Sequence, residues 1–348
     1  MKIESLIRPN ILNLKPYSSA RHEFSGHGEV FLDANENPFE NEVNRYPDPL
    51  QQELKQVIGK LKHVPADQLF LGNGSDEVID LIFRIFCRPG IDEILVLPPT
   101  YGMYQVSADI ADIKVKKIRL NENYQPDVES ILNQIGATTK VLFICSPNNP
   151  TGNLIEKNII IKLIESFQGI VVIDEAYIDF SPEHSCLPLL SNYDNLIIMQ
   201  TLSKAWGMAA IRLGMAFSSV EIISYFNKVK APYNISSLTQ QFAINKLNNE
   251  VVMKNEVVTI LQEKKRLIEK LTSIGEVVHV FPSDTNFLLV KVKHADGLYQ
   301  SFVSKGIVVR NRSREAGCEG CLRITIGTPS ESLVLWDALV SFNSMNGE

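Results

Sequence analysis

Four short apolar runs, at 94–97, 141–144, 170–173 and 196–199, constrain the fold of this chain more than any other feature. Each is apolar throughout rather than alternating, as in a strand buried on both faces. Helical spacing recurs between them, for example over 159–167, so the runs predict a mainly parallel sheet with helices on both sides. Ligands of such sheets bind outside the carboxyl ends of the strands. Tyr101, Asn149, Asp174, Tyr177 and Lys204 all fall at those ends.

Lys204 is the only charged residue between Asn195 and Ile211. A lysine in low dielectric has a lowered pKa, and its neutral amine can attack a carbonyl to form a Schiff base. The other reading is a stem lying along apolar surface with its ammonium in water. Asn149 before Pro150 is also a good turn residue, and Asp174 could cap a helix. A sixth feature lies upstream. The run Leu69 Phe70 Leu71 Gly72 Asn73 Gly74 Ser75 Asp76 Glu77 reads as strand, glycine turn and helix start. Free N–H groups at such a start suit an anion such as phosphate, although a capped helix without a ligand has the same pattern. Five polar residues at equivalent strand ends, beside a phosphate-type helix start, favour a cofactor site over five coincidences.

A chain of 348 residues exceeds the usual reach of one core, so two domains are expected. The formal charge of −6 argues against nucleic acid or an anionic membrane as main partner. Basic runs at 114–117 and 264–266 read as solvated faces of a strand and a helix. Residues 1–10 lack the apolar core of a signal peptide and no apolar run approaches the roughly 20 residues of a membrane span, which predicts a cytoplasmic protein. Five cysteines at odd spacing suit a reducing compartment, Cys318 and Cys321 form a lone CxxC, and six histidines lack ligand spacing. No metal is expected.

Residues 1–30 read as an arm, with Tyr17 beside Pro16 and Arg21 shortly after. A polar turn around Asn35 Glu36 Asn37 Pro38 precedes a loop, Arg45 Tyr46 Pro47 Asp48 Pro49, and a helix over 50–61. From about 236 the character changes. A long amphipathic helix over 238–274, broken near Asn248 Asn249 and carrying Lys264, Lys265 and Arg266 on its outer side, leads into a mixture of strands and helices. That mixture suggests a smaller α+β domain. Arg310 and Arg323 stand at the edges of its apolar runs, either as surface charges or as forks for carboxylate and phosphate.

In these motifs the chain resembles the fold-type-I, pyridoxal-phosphate-dependent aminotransferases, and within them the branch that acts on histidinol phosphate. The resemblance runs in order from Leu14 Lys15 Pro16 Tyr17 through Asn35 Glu36 Asn37 Pro38, Arg45 Tyr46 Pro47 Asp48, Asn148 to Gly152, Asp174 to Tyr177 and Ser203 Lys204 to Leu322 Arg323 Ile324. It implies an arm over 1–30 packing with the small domain and the dimer partner, a large cofactor domain over 31–235 and a small domain over 236–348. It also implies that Lys204 holds pyridoxal 5'-phosphate covalently and moves a proton between the cofactor and the amino-bearing carbon. Asp174 would pair with the pyridine nitrogen, Asn149 and Tyr177 would bond the phenolic oxygen, and Tyr101 would stack on the ring. Ser75, Asp76, Ser203 and Arg212 would hold the phosphate, joined by Tyr46 of a second subunit in a homodimer. Arg310, Arg323 and Asn149 would bind substrate, with Tyr17 closing over it. The reaction implied is transfer of the amino group of L-histidinol phosphate to 2-oxoglutarate in histidine biosynthesis. The alternatives are an aromatic amino acid aminotransferase, a decarboxylase of a phosphorylated amino acid, or a regulator that kept the scaffold. The stretch between Pro38 and Arg45 is shorter than in the family, and Ala209 Ala210 stand where glycine is common.

Overall fold

A computed structural model describes residues 2–17 and 30–346. Seven strands form the larger sheet: β1 Leu69–Asn73, β2 Glu93–Val96, β3 Lys114–Lys117, β4 Thr139–Cys145, β5 Ile170–Asp174, β6 Leu196–Thr201 and β7 Leu213–Phe217. Their order is β1-β7-β6-β5-β4-β2-β3, and β7 alone runs against its neighbours. Successive side chains of a strand point to opposite faces. Ile94, Val141, Phe143, Val172 and Ile197 accordingly join one apolar cluster, and Leu95, Leu142, Ile144, Val171 and Ile198 the other. Both faces are covered, which is why these strands are apolar throughout.

β7 carries no strong signal in the sequence, since it is five residues long and contains a glycine, yet all five are buried. Gly214 is required by its neighbours: a Cβ there would lie 2.3 Å from Gly74 C and Ser75 N, the start of the helix Gly74–Phe86. Gly214→Ala is expected to destabilise the fold by about 1–3 kcal/mol through overpacking. The check is thermal unfolding, in which the variant should melt below the parent protein.

The smaller sheet is antiparallel, in the order β10-β11-β9-β8, from β8 Val277–Val280, β9 Phe287–Val292, β10 Arg310–Asn311 and β11 Cys321–Thr325. Leu288, Val290, Leu322 and Ile324 of this sheet pack on Leu298 and Phe302 of the helix Ala295–Ser304 and on Leu335 and Leu339 of the helix Pro329–Asn346. The long helical stretch breaks at Asn248 and Asn249, into Ser237–Leu247 and Glu250–Leu271. Ala243, Leu247, Met253 and Val257 belong to the core of the larger sheet, whereas Leu267 and Leu271 belong to that of the smaller one. The passage from one core to the other therefore runs along Glu250–Leu271, and the helix that follows residue 236 still serves the first core.

Two expectations are corrected. Lys264 is not on the outer side of its helix: it is buried, and its Nζ donates to the carbonyls of Ser283 and Thr285 at 2.7 and 2.8 Å. It lies one turn from Leu267, so it shares the buried face, and the two carbonyls replace its water. Lys265 and Arg266 are exposed. The first part of the arm packs on the larger sheet's helices rather than on the small domain. Ile3, Ile7 and Ile11, four residues apart, are buried there, and Arg8 donates from N and Nη1 to the carbonyls of Ile85 and Arg84. Arg21 lies outside the described residues.

Lys114–Lys117 is a partly exposed strand at the edge of the larger sheet, as expected. All five cysteines are buried and unpaired. Among the described residues no helix is long and apolar enough to cross a membrane.

Candidate active site

The carboxyl ends of the parallel strands open into one cleft of about 380 Å3, closed from the other side by the β10–β11 hairpin. Ser75, Asp76, Tyr101, Asn149, Asp174, Tyr177, Ser203, Lys204 and Arg212 line it, together with Arg310 and Arg323 from the hairpin. Larger clefts of about 540, 580 and 930 Å3 are lined by neither Asp174 nor Lys204.

β5 ends in two acids, and strand alternation sends them to opposite sides. Glu175 turns away from the cleft and accepts from Cys186 N, Ser185 Oγ and Gln200 Nε2. Asp174 turns into it. The Asp174 carboxylate is buried, accepts from Tyr104 Oη at 2.6 Å and from Ala176 N at 3.1 Å, and has no salt bridge among the described residues. Burial raises its pKa, against the hydrogen bonds from Tyr104 and Ala176 and the charge of Lys204.

Lys204 follows β6 and is accessible from the cleft, with Nζ 5.5 Å from the centre of the Tyr177 ring. Its pKa is lowered, first by desolvation among the cleft walls and then by the Arg323 charge, with Arg212 adding and Asp174 opposing. This arrangement favours the neutral, nucleophilic amine while leaving it open to a reactant.

The anion end is built on the Gly74 turn. Gly74 has φ +73°, and its N donates to Arg212 O at 2.8 Å, which brings the guanidinium beside the helix start. Arg212 Nη2 lies 3.4 Å from Asp76 Oδ2, a long and half-exposed pair that leaves donors for an incoming anion. Ser203 Oγ accepts from Thr201 Oγ1 at 3.0 Å. The Asn149 turn is fastened by Gly152, whose φ is +88° and whose missing Cβ leaves room for Ser283 Oγ. Arg323 Nη1 donates to Asn149 Oδ1 at 2.6 Å, and Asn149 Nδ2 donates to Tyr177 Oη at 3.4 Å. Burial raises the phenol of Tyr177 and pushes that of Tyr101 up to about 12, so both are donors at neutral pH.

Two expected residues are not brought here. Tyr17 is 72% exposed and lies outside the cleft. Tyr46 stacks on Tyr233, with ring centres 4.4 Å apart, in a separate cleft where Glu36 accepts from its N and pairs with Arg45. Two residues were missed. Tyr104 lies three residues after Tyr101 on the helix Met103–Ile110, and its i, i+3 spacing was the available signal. Arg312 also lines the cleft, and period two from Arg310 could have found it.

The family profile described as aminotransferase class I and II matches residues 29–339. The chain belongs to this family. It is 54% identical to the histidinol-phosphate aminotransferase of Parabacteroides distasonis over 337 residues, which cover 97% of this chain and 98% of the relative. The crystal structure of the histidinol-phosphate aminotransferase from Clostridium acetobutylicum is 28% identical, with a TM-score of 0.80, covering 87% of this chain and 92% of the other. The enzyme of that name from Sinorhizobium meliloti, solved in complex with pyridoxal-5'-phosphate, shares the fold at 21% identity and a TM-score of 0.78, covering 87% and 84%.

Proposed function

We propose that this aminotransferase uses pyridoxal 5'-phosphate to move the amino group of L-histidinol phosphate to 2-oxoglutarate, giving imidazole acetol phosphate and L-glutamate in histidine biosynthesis. The observation that carries this reading is the pairing of a reactive lysine with an arginine hairpin across one cleft: Lys204 and Asp174 on one side, Arg310 and Arg323 on the other. The 54% identity to a named relative supports the substrate.

The residues fit the cofactor. A buried carboxylate that lines the cleft and is in no salt bridge among the described residues suits a protonated pyridine nitrogen, and the Gly74 helix start beside Arg212 suits a phosphate. When bound, the cofactor supplies an electron-withdrawing ring that stabilises negative charge at the amino-bearing carbon. Asp174 keeps the ring nitrogen protonated, and Tyr104 holds Asp174 in place. Asn149 and Tyr177 donate to the phenolic oxygen, and Tyr101 covers the ring. The N–H groups of Ser75 and Asp76, with the Ser203 hydroxyl and Arg212, receive the phosphate. Lys204 Nζ holds the cofactor between turnovers and carries the proton to and from the substrate carbon.

Histidinol phosphate has no carboxylate on its amino-bearing carbon, whereas glutamate does. One cationic mouth must serve both, and Arg310 with Arg323 provides it. Tyr46 of a second copy completes the phosphate site, which makes the working enzyme a homodimer, and Tyr17 covers the substrate. The protein works in the cytoplasm.

The test is to mix cofactor-loaded protein with L-histidinol phosphate, and separately with L-phenylalanine, and follow the visible absorbance of the bound cofactor. Rapid loss with histidinol phosphate and little with phenylalanine is the expected result. The reverse preference would replace the substrate and keep the chemistry.

A further inference from the structure

β10 and β11 pair with Arg310 opposite Arg323, so these two side chains share a face. The ladder continues one step, because Arg312 N donates to Cys321 O at 2.9 Å. Period two then places Arg312 on the same face as Arg310, and all three guanidiniums line the cleft that holds Lys204. Arg312 is only 21% exposed, and its Nη1 is held by Glu315 Oε2 at 2.9 Å, three residues on. Arg323 is held differently, by Asn149. Both arginines nevertheless keep a buried Nε with no hydrogen-bond partner. Two arginines of one cleft therefore each carry a guanidinium donor without an acceptor.

The charges close on a ligand class. Three guanidiniums against the Glu315 carboxylate leave a net charge of +2 on the hairpin's face. A phosphate monoester carries about −1.5 to −2 at pH 7 and offers three acceptor oxygens. A carboxylate carries −1 and offers two. We propose that Arg312, positioned by Glu315, is a third guanidinium of the substrate subsite, and that this pair selects a phosphate monoester over a carboxylate. The inference rests on the substrate reading above and adds to it the residues that discriminate. Glu315 limits the positive charge, so that the mouth accepts the dianion for binding and still releases the singly charged end of glutamate.

The test compares L-histidinol phosphate with L-histidinol, which lacks the phosphate, on cofactor-loaded protein. Arg312→Met is expected to raise KM for the phosphorylated donor by about 10- to 100-fold, the range for a charge-assisted hydrogen bond, with a far smaller change for L-histidinol. Arg312→Lys, which keeps the charge and loses the fork, should fall between. Glu315→Gln should act in the opposite direction, lowering KM for the phosphorylated donor and strengthening inhibition by inorganic phosphate several-fold. A structural role alone would weaken both donors together and would give both substitutions the same sign. Equal losses on the two donors, or no loss in Arg312→Met, would overturn the proposal. If the parent protein ignores L-histidinol phosphate, the substrate reading fails by itself. Inorganic phosphate is then titrated against the glutamate half-reaction of loaded protein, where its competition must still weaken in Arg312→Met for the subsite to stand.

Discussion

Lys204→Ala, loaded with pyridoxal phosphate, is expected to lose transamination by at least about 10⁴-fold, the upper range for a positioned proton carrier, because the covalent hold goes as well. Among the described residues no other lysine lines the cleft, so no neighbour takes over. The fold should survive. Lys204 is accessible and takes no part in either apolar cluster of the larger sheet, so truncation leaves no core cavity. The measurement is single-turnover conversion with both amino donors, alongside the visible spectrum, which should revert to that of reversibly bound cofactor. The pH dependence has a definite sign. Desolvation and the Arg323 charge lower the ammonium's pKa below 10.5, so capture of free pyridoxal phosphate should speed up with pH and level off below 10.5. Arg323→Met removes a cation beside Lys204 and should move that plateau to higher pH. Transamination surviving unchanged in Lys204→Ala would remove Lys204 from the chemistry.

Much of this site was legible because it is built on strand ends. A strand buried on both faces writes itself as an unbroken apolar run, and the turn that follows its carboxyl end is then located as well. Tyr101, Asn149, Asp174, Tyr177 and Lys204 were placed in that way, and one cleft collects them. β7 was hidden because Leu213–Phe217 is short, follows a loop that is itself largely apolar, and is read through a glycine. Its presence matters, since Gly214 presses against the start of the helix that offers Ser75 and Asp76.

What was not legible depended on partners far away in sequence. Lys264 looks like its neighbours Lys265 and Arg266, and only the carbonyls of Ser283 and Thr285 explain why it is buried. Arg312 drew no notice in the sequence, and the pairing of Arg310 with Arg323 shows which way the hairpin faces. Periodicity reports which side of an element is buried, not which distant group satisfies a buried charge.

Asp174→Asn should be the second most damaging change, and it separates chemistry from folding. The amide keeps the size of the carboxylate and can still accept from Tyr104 or Ala176, so the variant should fold and retain the cofactor. What it loses is the charge that keeps the pyridine nitrogen protonated. A buried pair broken on one side costs about 3–5 kcal/mol, which converts to a fall of roughly 10²- to 10⁴-fold in kcat/KM. Because the loss falls on stabilisation of the developing negative charge, kcat should drop with it while KM for each donor moves little. Tyr104→Phe provides the control: it leaves the charge and removes one hydrogen bond, so its loss should be on the order of tenfold. A large drop in Asp174→Asn with a small one in Tyr104→Phe would place the effect on the charge itself. Equal drops would instead make the Tyr104–Asp174 hydrogen bond a structural strut beneath the sheet, and the catalytic weight would then fall on Lys204 alone.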